Sequence, residues 1–208
     1  MGYTARMGYK PNFSIEAGYE GVVAGIDEAG CGPLAGPVIA AAVILNRRKR
    51  PAGINDSKKL TPEKREQLYS VLIATAHTAV GTASVEEIDT LNILNARLLA
   101  MRRACEALEL TPHIALVDGN RAPQLACPIR LVIGGDRESM SIAAASIIAK
   151  VTRDRIMRQL AQECPGYGWE RNAGYGTAEH YRGLNALGVT PHHRRSFSPV
   201  RLIVEAAA

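Results

Sequence analysis

Val22-Val23-Ala24-Gly25-Ile26-Asp27-Glu28-Ala29-Gly30-Cys31-Gly32-Pro33-Leu34-Ala35-Gly36-Pro37 runs an apolar stretch into two adjacent acids and then into a glycine-rich turn. A second apolar run, Val38 to Leu45, follows at once. Two carboxylates at the end of a buried strand are costly unless something offsets their charge. A divalent cation does this, because hard cations take carboxylate oxygens. Gly30 and Gly32 let backbone N–H groups approach a ligand closely and form an anion-binding concavity. Acids for metal beside amides for phosphate outline a site that handles phosphodiesters.

Working outward, Val22 to Glu28 and Val38 to Leu45 read as two strands, rich in β-branched residues and bounded by Gly or Pro. The link between them is too short for a crossover helix, so the pair is expected to be antiparallel. Asn55-Asp56-Ser57-Lys58-Lys59-Leu60 is a polar loop, after which Thr61 is placed as an N-cap with Pro62 at the first helical position. Leu68, Tyr69, Leu72, Ile73 and Ala76 form the buried stripe expected of that helix. Thr78 to Val85 is a third strand. Leu94, Leu98, Met101, Cys105 and Leu108 step by four and three, which predicts a helix with one apolar face. Ile114-Ala115-Leu116-Val117-Asp118-Gly119-Asn120 repeats the opening design of apolar strand, acid and glycine. Ile129 to Ile133 is a fifth strand, and Asp136 stands just past its end. A long helix is predicted over Ser141 to Glu163, with Lys150 and Arg153 one turn apart. Gly166 to Gly176 reads as a loop. Thr177 caps a short helix through Leu187, closed by Gly188. Pro191 to Phe197 is a basic loop containing His192, His193 and Arg194, and Ser198-Pro199 opens a last short helix. Residues 1–20 read as an irregular arm and 21–208 as one catalytic domain.

The chain has 208 residues, of which 47% are apolar, enough for one domain with a sizeable core and against disorder. A net charge of +5 favours a polyanionic partner. Only 5% of residues are aromatic, which argues against an extended base-stacking platform. Cys31, Cys105, Cys127 and Cys164 form no C-x-x-C pair, so reduced thiols in a reducing cytoplasm are expected rather than zinc or disulfides. No apolar run reaches about 18 residues, so no membrane partner is expected.

Asp27 with Glu28, Asp118 and Asp136 therefore arrive at or near three strand ends. Clustered carboxylates repel one another and together call for metal. Two ions about 3.5–4 Å apart clamp the attacking and leaving oxygens of an in-line displacement, with no Ser, Cys or His nucleophile required. One difficulty is geometric: neighbours on a regular strand point to opposite faces, so Asp27 and Glu28 need a bend or an approach from the rim. Gly30 to Ala35 also matches G-x-G-x-x-A, the dinucleotide fingerprint. Pro33, Gly36 and Pro37 leave no helix to receive a pyrophosphate, and the next strand follows immediately, so that reading is rejected.

Gly25 to Pro37 resembles the opening motif of bacterial ribonuclease HII. So do Asn55 to Leu60, Val117 to Asn120, Gly135 to Asp154, Asn172 to His180, and His192 to Phe197, in family order. The resemblance implies an α/β, ribonuclease H-like fold: a mixed five-stranded sheet flanked by helices, with a helical C-terminal region. It implies hydrolysis of the RNA strand of RNA–DNA hybrids and nicking of duplex DNA 5′ of a single ribonucleotide. It implies manganese or magnesium held by Asp27, Glu28, Asp118 and Asp136, and a monomer. By the same resemblance, substrate is bound by Gly30, Cys31, Gly32, Lys58, Asn120, Lys150 and Arg194, with Tyr175 packed on the ribonucleotide sugar. The family carries Arg or Lys where this chain has Cys31, which predicts slower cleavage or a weaker preference for a single ribonucleotide. The alternative is a hybrid-binding protein whose catalysis is impaired by Cys31.

Overall fold

The opening stretch becomes the middle of a five-stranded sheet. The computed structural model describes residues 10–206. Its strands are β1 (Val23–Ala29), β2 (Val38–Ile44), β3 (His77–Ala83), β4 (Ile114–Asp118) and β5 (Ile129–Val132). Their order across the sheet is β3-β2-β1-β4-β5. β1 pairs with β2 antiparallel, as the short link required, and with β4 in parallel. β4 and β5 are also parallel, and β2 and β3 antiparallel.

Helices cover both faces, which is why β2 is buried at every residue. Ile39, Ala41 and Val43 pack towards Leu68 and Leu72 of α1 (Pro62–Thr75) and Ala144, Ile147 and Ile148 of α3 (Met140–Glu163). Val38, Ala40 and Ala42 pack towards Ile88, Ala100, Met101 and Ala104 of α2 (Val85–Glu106). The small residues allow close approach. A Cβ on Gly25 would strike the backbone of Ser141 and Ile142 in α3.

Local capping follows the sequence. Thr61 accepts from Lys64 N at 3.3 Å, and Thr177 from His180 N at 3.3 Å at the start of α5 (Ala178–Leu187). α2 departs from expectation. It starts at a Ser84–Glu87 capping box and breaks at Asn92 (φ 66°), whose Oδ1 accepts from Leu94 N and Asn95 N. The helical period recognised in the sequence belongs to its second half. Leu94 and Ile73, expected on apolar stripes, are exposed, because each stripe is narrower than its spacing suggested. The Gly166–Gly176 loop contains a short turn of helix, α4 (Trp169–Asn172), and the chain's last helix is α6 (Ser198–Ala206).

Of the expected N-terminal arm, residues 1–9 lie outside the described residues. Beyond them the chain is docked. Asn12 exchanges backbone bonds with Glu138 and Met140. Glu16 is buried, and its Oε1 accepts from Ser139 Oγ at 2.7 Å and Ser141 N at 2.9 Å. A carboxylate at the N-terminus of α3 suits the helix dipole. No helix among the described residues is long and apolar enough to cross a membrane.

Candidate active site

The β1–β4 ladder ends at Ile26 and Val117, one residue before Asp27 and Asp118. Past that point β1 has an open edge, and acids from both of its faces turn round it. Carboxylate atoms of Asp27, Glu28 and Asp118 lie within 4.8 Å of one another. Asp27 Oδ1 accepts from Glu28 N at 2.7 Å, and Asp118 Oδ1 from Gly135 N at 2.7 Å. Glu28 reaches the cluster from the α2 side, where Arg97 Nη1 holds its Oε1 at 3.2 Å. This resolves the strand-geometry difficulty without a bend in β1.

Asp136 is outside that set of three. It sits in a one-turn 3-10 helix, Gly135–Arg137, 3.8 Å from Lys58 Nζ. The acids nevertheless share one field. Burial, then the charges of Glu28 and Asp118, hold the Asp27 carboxyl well above its ordinary value. Burial, then Asp56 and Asp118, raise that of Asp136. Burial also raises Glu28 against the opposing pull of Arg97. For Lys58, desolvation pushes the pKa down, but the field of Asp136, Asp27, Asp56 and Asp118 outweighs it and raises it. Glu28 Oε2 is buried without a hydrogen-bond partner among the described residues. Converging carboxylates with a spare buried oxygen fit a hard divalent cation.

Beside the acids is a cavity of about 320 Å³. Asp27, Glu28, Gly30, Cys31, Gly32, Lys58, Lys150 and Tyr175 line it, bringing together eight of the twelve residues expected at the site. Lys150 is tied to Asp154 at 2.7 Å. Asn120 is exposed and does not line this cavity.

Arg194 corrects the sequence reading. Expected as a substrate contact in a basic loop, it is 0% exposed. Its Nη2 donates to Gly30 O (2.6 Å) and Gly36 O (2.8 Å), its Nη1 to Cys31 O (3.1 Å), and its Nε to Gly36 O (2.9 Å). Arg153, also buried, donates to Pro37 O, Ala35 O and Ala173 O at 2.9–3.0 Å. The two guanidiniums thus fill the inside of the glycine turn, and a Cβ on Gly30 (φ 100°) would collide with Arg153. In a trans peptide the carbonyl of one residue and the N–H of the next point in opposite directions. Drawing Gly30 O and Cys31 O inward therefore turns the N–H groups of Cys31 and Gly32 outward. Burial, then repulsion from Arg153, brings the Arg194 pKa down to about 9, so it is charged at neutral pH.

Arg153, Arg97 and Ser57 complete the surroundings of the cavity and the acids. Arg153 was noticeable only as a helix neighbour of Lys150. Arg97 sits among other arginines on α2, with no motif to single it out. His193, expected in the same basic loop as Arg194, is also buried.

Cys31 Sγ lies 3.5 Å from Glu28 Oε1. Burial, then the negative charge of Glu28, push the thiol up to about 12 from an ordinary 9.0. At pH 8 its thiolate fraction is about 10³-fold below that of a free cysteine. Cys31 is therefore expected to alkylate with iodoacetamide far more slowly than Cys164, as measured by peptide mass mapping. Rapid modification of Cys31 would contradict this environment.

A Ribonuclease HII family model matches residues 24–200. The chain belongs to the ribonuclease HII family. The Ribonuclease HII of Gluconobacter oxydans is 56% identical over 203 residues, covering 95% of this chain and 98% of the relative. That of Paramagnetospirillum magneticum is 58% identical over 194 residues, covering 91% and 96%. The crystal structure of ribonuclease H2 from Pyrococcus horikoshii OT3 is similar at a TM-score of 0.75 and 30% identity, covering 89% of this chain and 98% of that one. The ribonuclease H-like fold implied by the sequence motifs is thus present, and as a ribonuclease HII the protein is a metal-dependent endoribonuclease.

Proposed function

We propose that this ribonuclease HII cuts the RNA strand of RNA–DNA hybrids and nicks duplex DNA on the 5′ side of a single embedded ribonucleotide. The products are a 3′ hydroxyl and a 5′ phosphate. The observation that carries this reading is the meeting of Asp27, Glu28 and Asp118 beside a cavity that also presents the glycine turn and Tyr175. With Asp136 they would hold manganese or magnesium. When bound, such ions activate water and stabilise the leaving 3′ oxygen. Arg97 holds Glu28 in position for this. The outward N–H groups of Cys31 and Gly32 receive a phosphate, and Lys58 and Lys150 supply its counter-charge. Tyr175, 48% exposed, packs on the sugar whose 2′ hydroxyl separates RNA from DNA. The enzyme acts as a cytoplasmic monomer in this reading.

The test is cleavage of a labelled DNA duplex bearing one ribonucleotide, with each metal. A 5′-side nick is expected. Binding without a cut would favour the impaired hybrid-binding alternative. Cys31→Arg restores a cation at the turn, and it is expected to tighten binding and steepen the salt dependence by roughly 0.9 in log–log slope. An unchanged slope would mean that residue 31 does not face phosphate.

A further inference from the structure

Three consecutive carbonyls beside the cavity are each held from a different part of the chain. Ala173 O accepts from Arg153 Nη1 at 2.9 Å, and Gly174 O from Leu34 N at 2.8 Å. Tyr175 O lies 3.0 Å from Nδ1 of His180. His180 is 0% exposed, and His193 is 1% exposed. Their Nε2 atoms are 3.0 Å apart, so one must carry a proton and the other must not.

The surroundings decide which. A carbonyl only accepts, so His180 Nδ1 is protonated and donates to Tyr175 O. Trp169 Nε1–H only donates, and it points at His180 Nε2 from 3.1 Å, so that nitrogen is bare. At the other end, Thr190 N–H donates to His193 Nδ1 at 3.0 Å, so His193 carries its proton on Nε2. One direction of donation runs from Thr190 through His193 and His180 to Tyr175. A proton added to either bare nitrogen would set donor against donor. Burial, then the neighbouring His180, lowers His193 to about 4, and burial lowers His180, in keeping with two neutral rings.

We propose that His180 and His193 form a fixed-tautomer relay that positions Tyr175 and so sets the preference for a single ribonucleotide. The histidines touch no substrate in this scheme and act only through the Tyr175 backbone. The inference rests on the reading of Tyr175 as the residue that packs on the ribonucleotide sugar.

The experiment compares kcat/KM on single-ribonucleotide duplex DNA with that on continuous RNA–DNA hybrid, using the full-length protein with manganese. Tyr175→Ala is expected to lower this ratio. His180→Leu, which deletes the donor, is expected to lower it by about tenfold to a hundredfold, the scale of an ångström of misplacement. His180→Asn keeps an N–H near the Nδ1 position and should recover most of the ratio. The double variant Tyr175→Ala/His180→Leu should be no worse than Tyr175→Ala alone, because the histidine acts through the tyrosine. Additive losses would overturn the relay while leaving the tyrosine reading intact. An unchanged ratio in Tyr175→Ala would overturn that reading and the relay with it. Nitrogen-15 chemical shifts of the wild-type protein give a readout independent of how the variants fold. They are expected to show His180 protonated on Nδ1 and His193 on Nε2, and the reverse assignment would overturn the relay.

Discussion

Asp27→Asn is expected to abolish cleavage, by about three orders of magnitude or more, while making the metal-free protein more stable. On the proposed reading Asp27 holds metal, so losing its carboxylate forfeits several kcal/mol of charge stabilisation in the transition state, and each 1.36 kcal/mol is about tenfold in rate. The stability effect has the opposite sign because Asp27 is 6% exposed and faces other acids. Its folded pKa stands well above the ordinary 3.8, through burial and then the charges of Glu28 and Asp118. Between those two pH values the folded state binds more protons than the unfolded chain, so stability falls as pH rises. Above the folded pKa the whole cost is in place. The amide carries no charge to bury, and a gain of about 1 kcal/mol, or about 2–4 °C in Tm, is expected at neutral pH with chelator present. Manganese should then raise the Tm of the wild type more than that of the variant, since only a bound ligand stabilises by mass action. A lower Tm for Asp27→Asn in chelator would refute the electrostatic account of this cluster.

Arg194→Lys is expected to destabilise the protein by about 3 kcal/mol or more, although charge is conserved. An ammonium lacks the planar fork that reaches Gly30 O, Cys31 O and Gly36 O together. Each buried carbonyl left without a donor costs about 1–3 kcal/mol. The urea midpoint should fall by about 1 M or more, taking a slope of about 1–3 kcal/mol per M. Lys58→Ala is the contrasting case. The Lys58 side chain is 80% exposed, so stability should shift by no more than about 0.5 kcal/mol while hybrid binding weakens. If Arg194→Lys instead left stability intact and weakened only binding, Arg194 would be a surface contact after all.

The contrast between these two cations shows what was legible in the sequence. Lys58 and Arg194 both stand in basic motifs, and no local pattern says that one is exposed and the other buried. Burial of Arg194 depends on carbonyls supplied by a turn more than 150 positions earlier. Strands, caps and acids were legible because their causes are local. β-Branched runs, Thr61 before Pro62, and acids after apolar stretches each carry their own signal. The parallel β1–β4 pairing that brings Asp118 to Asp27 is non-local, yet the repeated strand-then-acid pattern pointed to the meeting of Asp118 with Asp27 and Glu28, while Asp136, also expected there, lies outside that set. The break at Asn92 was invisible, since an asparagine in the left-handed region leaves the apolar spacing on either side undisturbed. The histidine relay was equally hidden, because tautomers depend on neighbours from separate segments.

The buried arginine clasp also gives the enzyme a time of birth. Arg194 is separated from Gly30 by 164 positions. A ribosome adding about 5–20 residues per second needs about 8–33 s to cover that distance. Throughout that interval the nascent chain carries Asp27 and Glu28 but lacks the guanidinium that draws Gly30 O and Cys31 O inward. A polypeptide still attached to its messenger is thus an unfinished nuclease beside RNA. Its glycine turn is clasped only after Arg194 has been made and has folded back onto it.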